Sequence, residues 1–224
     1  QRISLVYSSS YEQGEGEQKI MSYIRDFCSP DKNILIYGQD ADLIILCMTL
    51  HNYVNVNILR EENDDTFSII NVNTIGNYIH EIFTKYIDQF IIRGIDIYEL
   101  FYTNNDNKNK INMEKERIIN DFIYLTFIIG NDFVPQLFCF STKMIRKEMT
   151  NYNGIDIICI LYYILKLQYP NEFLITTQIT INVDLFLKFL QFIKQCELKL
   201  IFDNYKYDSS PYTKLYELNN TYIK

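Results

Sequence analysis

The chain has 224 residues, of which 48% are hydrophobic and 22% charged, with only seven glycines and four prolines. That apolar content excludes a disordered or linker-like polypeptide, the scarcity of Gly and Pro excludes collagen-like material, and the length suits a domain with a real core. A formal charge of −7 speaks against a broad basic nucleic-acid surface, unless the carboxylates gather around bound cations that the count omits.

The chain begins at Gln1, almost directly in the apolar run Ile3-Ser4-Leu5-Val6-Tyr7. Residues 4–7 are expected to form a short buried strand, and a domain that opens in a core strand is expected to be a piece of something longer. Residues 17–27 carry Ile20, Met21, Ile24 and Phe27 at helical spacing, and Ser29-Pro30-Asp31 breaks the pattern. Residues 33–37 form a compact β-branched run that reads as a central strand, closed by Gly38. Residues 41–50 then read as a helix and 54–59 as the next strand. Strand, helix, strand in that order is a βαβ unit and predicts a parallel sheet.

Residues 67–72 suggest a further strand or hairpin, residues 75–87 a helix, and the Asn-rich residues 104–110 an exposed loop. Ile118, Phe122, Leu125 and Ile129 share one helical face across 114–129, with Gly130 as its stop. Residues 155–167 and 183–196 predict two more helices, and the Tyr- and Asn-rich tail after Phe202 receives no assignment. The organisation is therefore an α/β part over 1–103 and a helical extension over 104–224. No apolar run approaches the ~18 residues that a membrane span needs, so no membrane partner is expected. The five cysteines, Cys28, Cys47, Cys139, Cys159 and Cys196, contain no CxxC pair and sit mostly in apolar runs. They predict buried, reduced thiols in an intracellular protein, cytoplasmic or nuclear.

Three groups of acids carry the chemistry. Asp40 and Asp42 follow the strand at 33–37, where open α/β sheets bind ligands, and at i and i+2 in extended backbone they face one side. A divalent cation would relieve their repulsion; capping of the following helix is the competing explanation. Glu15 and Glu17 repeat the spacing between Gly14 and Gly16, with a solvated acidic turn as the alternative. Asp132 lies between Ile128-Ile129 and Phe133-Val134 with no nearby basic residue, so it needs a partner: a metal, or turn hydrogen bonds with Asn131. Five carboxylates and only two histidines favour Mg²⁺ or Mn²⁺ over zinc. Two such ions can activate water and stabilise both oxygens of a phosphodiester displacement. Lys19 and Arg25, on the first helix, are candidate phosphate contacts, with a solvated helix face as the plainer account; the same holds for Arg60 and Arg93.

Gly14-Glu15-Gly16-Glu17-Gln18-Lys19-Ile20-Met21 resembles the GEGEHKIM segment of the Xrn family of 5′→3′ exoribonucleases. Tyr37-Gly38-Gln39-Asp40-Ala41-Asp42-Leu43-Ile44 resembles its YGxDADLI segment, Leu59-Arg60-Glu61-Glu62 its LREE, and Gly130-Asn131-Asp132-Phe133-Val134-Pro135 its GNDFxP. Order and rough spacing agree over residues 3–196, with Gln18 and Gln136 standing where the family usually has His. The resemblance implies a core like that of the PIN and flap-endonuclease group. It also implies that Glu15, Glu17, Asp40, Asp42 and Asp132 coordinate metal, and that the reaction is hydrolysis of single-stranded RNA with a 5′-monophosphate to mononucleotides. The family's remaining acids and its basic 5′-phosphate pocket lie in an earlier segment. The expected partner is therefore the missing N-terminal half of the same catalytic domain, without which this chain is expected to be inactive. Two other readings share the acids: a structure-specific DNA nuclease of the flap-endonuclease kind, and a non-catalytic RNA-binding scaffold.

Overall fold

Amphipathic spacing and short β-branched runs produce the elements of this computed structural model, which describes residues 3–50, 52–53, 55–62, 66–101, 111–130, 135–140, 145–146 and 151–205. They fall into two compact units, Gln1–His80 and Glu81–Lys224, so the structural division precedes the 103/104 break expected from composition.

In the first unit, helix α1 (Gly16–Phe27) buries Met21 and Ile24, whereas Ile20 and Phe27 of the same apolar stripe are exposed. Strand β1 (Asn33–Tyr37), helix α2 (Asp42–Met48) and strand β2 (Asn55–Glu61) form the expected βαβ unit, with β1 and β2 parallel and Tyr37 opposite Leu59. Strand β3 (Phe67–Asn71) pairs antiparallel with β2. The sheet is therefore mixed rather than parallel, because residues 62–66 are too short for a crossover and allow only a hairpin. One face of the sheet buries Ile36, Val56 and Ile58, and Leu43, Cys47, Met48 and Leu50 are also buried in this unit.

Two expectations fail in this unit. The strand order is β1-β2-β3, so β1 is an edge, not a central strand. Residues 4–7 are not a buried strand: residues 3–9 belong to no regular element, and Ile3, Leu5, Val6 and Tyr7 are all exposed. Residues 3–7 pair with none of the strands β1–β3, so their apolar side chains do not pack on the pleated surface that favours such residues.

Residues 72–93, expected as one helix over 75–87, are helix α3 (Val72–Glu81), a π-helical turn (Ile82–Tyr86) and helix α4 (Ile87–Arg93). In the second unit, α4 and helix α5 (Ile95–Phe101), which the apolar pattern did not reveal, pack on helix α7 (Gly154–Gln168). Helix α7 opens with a capping box between Asn153 and Asp156 and is buried almost all round, as a central helix must be. The Asp156 carboxylate also accepts from the Arg93 guanidinium. Helix α6 (Lys115–Thr126) ends before the expected Gly130, and helix α8 (Val183–Tyr205) runs well past Cys196. Cys47, Cys139, Cys159 and Cys196 are buried, Cys28 is half-buried, and all five thiols are free. Among the described residues no helix is long and apolar enough to cross a membrane. The expected loop at 104–110 and the tail from 206 lie outside the described residues.

A polar cluster crosses this helical core. Asp121 of α6 is fully buried. Its carboxylate accepts from the Tyr162 hydroxyl at 2.7 Å, the Leu174 N–H at 2.9 Å and the Ile175 N–H at 2.8 Å. The buried Lys166 ammonium donates to the Glu172 carbonyl at 2.6 Å and lies 3.6 Å from the Phe173 ring centroid. Arg117 donates to the Ile175 carbonyl at 2.8 Å, and its guanidinium also sits over Phe173. Three side chains from two helices thus anchor residues 172–175, and the buried Leu174 N–H would otherwise lack an acceptor.

Candidate metal centre

Both acid pairs of the first unit stand where a helix begins. Glu15 has extended backbone at the N-cap of α1 without a side-chain capping bond, and Glu17 lies in the first turn. Asp42 opens α2, and Asp40 sits in the loop between β1 and that helix. Helix N-termini carry partial positive charge, which offsets some of the repulsion within each pair. Glu15, Asp40 and Asp42 are exposed and Glu17 is half-buried.

Local backbone demands explain the glycines at both places. Gly14 adopts φ +99°, where a side chain would be strained. This turn is tied down by the Lys19 ammonium, which donates to the Ser9 carbonyl at 2.9 Å. A Cβ at Gly38 would lie 2.4 Å from Leu43 Cδ2, so glycine there lets the first turn of α2 fold back onto the end of β1. Asp40 Oδ1 accepts from the Asp42 N–H at 3.2 Å. The capping explanation thus holds for one oxygen of Asp40, while no side-chain hydrogen bond caps α2 from Ala41.

The acids are not paired with basic side chains: among the described residues the ion pairs are Lys85–Glu81 and Arg93–Asp156. Four carboxylates supply the oxygen donors that a hard divalent cation takes, so the donor chemistry fits Mg²⁺ or Mn²⁺. The number converging does not reach a cage, since no group of three or more His, Cys, Asp or Glu side chains among the described residues is arranged to hold an ion. The unit therefore presents two carboxylate pairs. Asp132 belongs to residues 131–134, which lie outside the described residues.

The candidate phosphate contacts have structural partners. Besides the Lys19–Ser9 bond, the Arg25 guanidinium donates to Thr49 Oγ1 at 2.7 Å. Arg25 is eight residues beyond Glu17 on α1, roughly 12 Å along the helix axis at 1.5 Å per residue. Arg60 has a role that sequence reasoning left among solvated residues. From the end of β2 its guanidinium donates to the Gln39 carbonyl at 2.6 Å and reaches the Asp40 carbonyl at 3.5 Å. The signal was its place one residue after Leu59, which parallel pairing sets opposite Tyr37 and so beside the loop that carries Asp40.

A mixed α/β unit with acid pairs at two helix starts, followed by a helical unit, has counterparts of known family. A family model described as XRN 5′-3′ exonuclease N-terminus matches residues 1–62, and one described as Xrn1 helical domain matches residues 112–216. The chain belongs to the Xrn family. It is 34% identical to 5′-3′ exoribonuclease 1 of Schizosaccharomyces pombe over 61% of its length and 10% of that protein. It is 29% identical to 5′-3′ exoribonuclease 1 of Homo sapiens over 61% of its length and 8% of that protein. A protein of Acanthamoeba polyphaga mimivirus, named provisionally as the 5′-3′ exonuclease R528, is 24% identical over all of this chain and 31% of its own length. The chain thus spans about a third or less of the length of these relatives.

Proposed function

We propose that this chain supplies the acid pairs of a 5′→3′ exoribonuclease that hydrolyses single-stranded, 5′-monophosphorylated RNA to mononucleotides, and that it works inside a longer intracellular polypeptide. The observation that carries this reading is the seating of Glu15/Glu17 and Asp40/Asp42 at the starts of α1 and α2, within the stretch matched by the exonuclease N-terminus model. The mixed sheet of this unit is read as part of a PIN-like core. Glu15, Glu17, Asp40 and Asp42, joined by Asp132, would hold two Mg²⁺ or Mn²⁺ ions. When bound, these ions supply an activated water and neutralise charge on the attacking and leaving oxygens.

The rest of the work falls to the chain. Each helix start carries one pair of carboxylates, and its partial positive charge offsets part of the repulsion within the pair. Lys19 holds the turn that precedes Glu15, and Arg60 holds the loop that carries Asp40. Arg60 is thus a positioning residue. Arg60→Ala in the longer polypeptide is expected to raise the Mn²⁺ concentration needed for half-maximal activity by about 10–100-fold with little change in Tm. An equal loss at saturating Mn²⁺, or a large drop in Tm, would instead show a general structural role.

The proposal is tested by incubating the longer polypeptide with 3′-labelled, 5′-monophosphorylated RNA, and separately with flap DNA, with and without Mn²⁺. Metal-dependent release of mononucleotides from the 5′ end is expected, with the 224-residue chain alone releasing almost none. Cleavage of flap DNA with RNA spared would replace the reading by a DNA nuclease. RNA binding indifferent to metal and without turnover would replace it by a scaffold.

A further inference from the structure

Two cysteines meet in the core of the second unit. Cys139 lies in a 3₁₀ turn (Phe138–Phe140) and Cys196 in α8. Turn and helix pack directly on each other. Both residues are fully buried, and both thiols are free. The Cys139 thiol is in hydrogen-bonding contact with Cys196 and with the Glu197 carboxylate. The same carboxylate accepts the Cys139 backbone N–H at 2.6 Å, across 58 positions of sequence. A second thiol and a carboxylate base thus stand against one buried thiol.

The turn is held from its other side as well. A Cβ at Gly154 would lie 2.3 Å from the Phe140 carbonyl oxygen, so glycine at the start of α7 lets the turn sit against that helix. The Gln136 side-chain amide donates to the same carbonyl at 3.1 Å. The turn is therefore wedged between α7 and α8, and a covalent bond from Cys139 to α8 would fasten the two helices through it. Residues 135–137, directly before the turn, are exposed, so a local opening of a few residues admits a small oxidant.

We propose that Cys139 and Cys196 form a reversible redox pair, in which a peroxide converts the two thiols into a disulfide that staples the turn to α8 and a thiol reductant restores them. The proposal stands apart from the exonuclease reading. In a reducing compartment such a pair rests as the dithiol, and the disulfide is transient. Hydrogen bonding to Cys196, then burial and the Glu197 carboxylate, hold the Cys139 thiol well above the usual thiol range. That keeps Cys139 protonated and leaves Cys196 to react first. The Cys196 sulfur takes one oxygen of hydrogen peroxide and becomes a sulfenic acid, while the other oxygen leaves as water with the thiol proton. Glu197 then accepts the Cys139 thiol proton as the Cys139 sulfur attacks the Cys196 sulfur. The S–S bond forms, the S–O bond breaks, and the released hydroxide takes that proton and leaves as water. Each sulfur gives up one electron overall, and the peroxide takes both.

The test is non-reducing peptide mass spectrometry on the 224-residue chain after exposure to hydrogen peroxide. A Cys139–Cys196 linked peptide in most molecules is expected, lost on adding dithiothreitol, with Cys28, Cys47 and Cys159 outside the link. The oxidised chain should melt about 5 °C or more above the reduced one, because the link closes a long loop. Cys196→Ser should abolish both the link and the rise in Tm. Glu197→Gln keeps an acceptor for the Cys139 N–H but removes the base, and should slow cross-linking by about tenfold or more. No link, a link that forms only in urea, a link to another cysteine or between chains, or a Tm that does not rise on oxidation overturns the proposal. An unchanged cross-linking rate in Glu197→Gln overturns the role given to that carboxylate. The wild-type spectrum decides the matter even where a variant folds poorly.

Discussion

Asp40→Asn/Asp42→Asn in the longer polypeptide is expected to lower metal-dependent RNA digestion by at least about a hundredfold while leaving the fold in place. The two effects separate because the carboxylates do two jobs. As a cap, Asp40 uses one oxygen to accept the Asp42 N–H, and Asn does this about as well as Asp. Both residues are exposed, so the change should cost only a few tenths of a kcal/mol in stability, as surface substitutions usually do. As the proposed metal ligands they would supply two negative charges that Asn cannot. Losing charge stabilisation worth about 3 kcal/mol or more corresponds to a hundredfold or greater loss in rate. The measurement is Mn²⁺ binding by calorimetry alongside the RNA assay, with Tm as the control. Undiminished activity in the double variant would remove these residues from the site. Reduced activity with a matching fall in Tm would make their role structural.

The largest stability effect is expected at Asp121. Asp121→Ala leaves the Leu174 and Ile175 N–H groups and the Tyr162 hydroxyl without their acceptor in a buried place, and Lys166 nearby loses its compensating charge. Removing one member of such a network costs about 3–5 kcal/mol, which urea unfolding of the chain would show as a marked fall in midpoint. A change below about 1 kcal/mol would mean that the cluster contributes little to the second unit.

The same residue gives a pH dependence. Burial, the main cause, pushes the Asp121 carboxyl up to about 6, against the opposing pull of the Ile175 and Leu174 N–H groups, the Tyr162 hydroxyl and Lys166. The folded value lies above the usual value of about 3.9, so the native state binds this proton more tightly. The stabilising contribution is complete below about pH 4 and is lost as pH rises through about 6. Lys166 shifts the opposite way, down to about 8, chiefly by burial. Its contribution is present above about pH 10.4 and is lost as pH falls through 8. Asp121→Asn should therefore flatten the stability profile between pH 4 and 6 and leave the alkaline side in place. An unchanged acidic slope would assign it to other carboxyls.

Local pattern was enough for α1, β1, α2, β2 and the acid pairs, because helical spacing, β-branched runs and Gly-flanked acids are each written within a dozen consecutive residues. The Gly14 turn belongs with them, since a positive φ needs glycine whatever surrounds it. Asp121 could have been found in the same way. It lies three residues after Ile118 and four before Leu125, on the apolar stripe of α6, where an acid must find buried partners. The partners themselves, the backbone of residues 174 and 175, were out of reach because they lie more than fifty positions away.

The sequence by itself determined the family motifs, the order of the first elements, the reduced thiols and the carboxylates that a metal would need, since all of these depend on neighbouring residues and on side-chain chemistry. Only the tertiary structure decided that Arg60 holds the Asp40 loop and that Asp121 anchors the second unit. It also decided that β1 is left at an edge with residues 3–7 unpaired. These features depend on which distant groups meet, and a hydrogen bond or an apolar contact is worth its free energy only where the fold brings both partners out of water together.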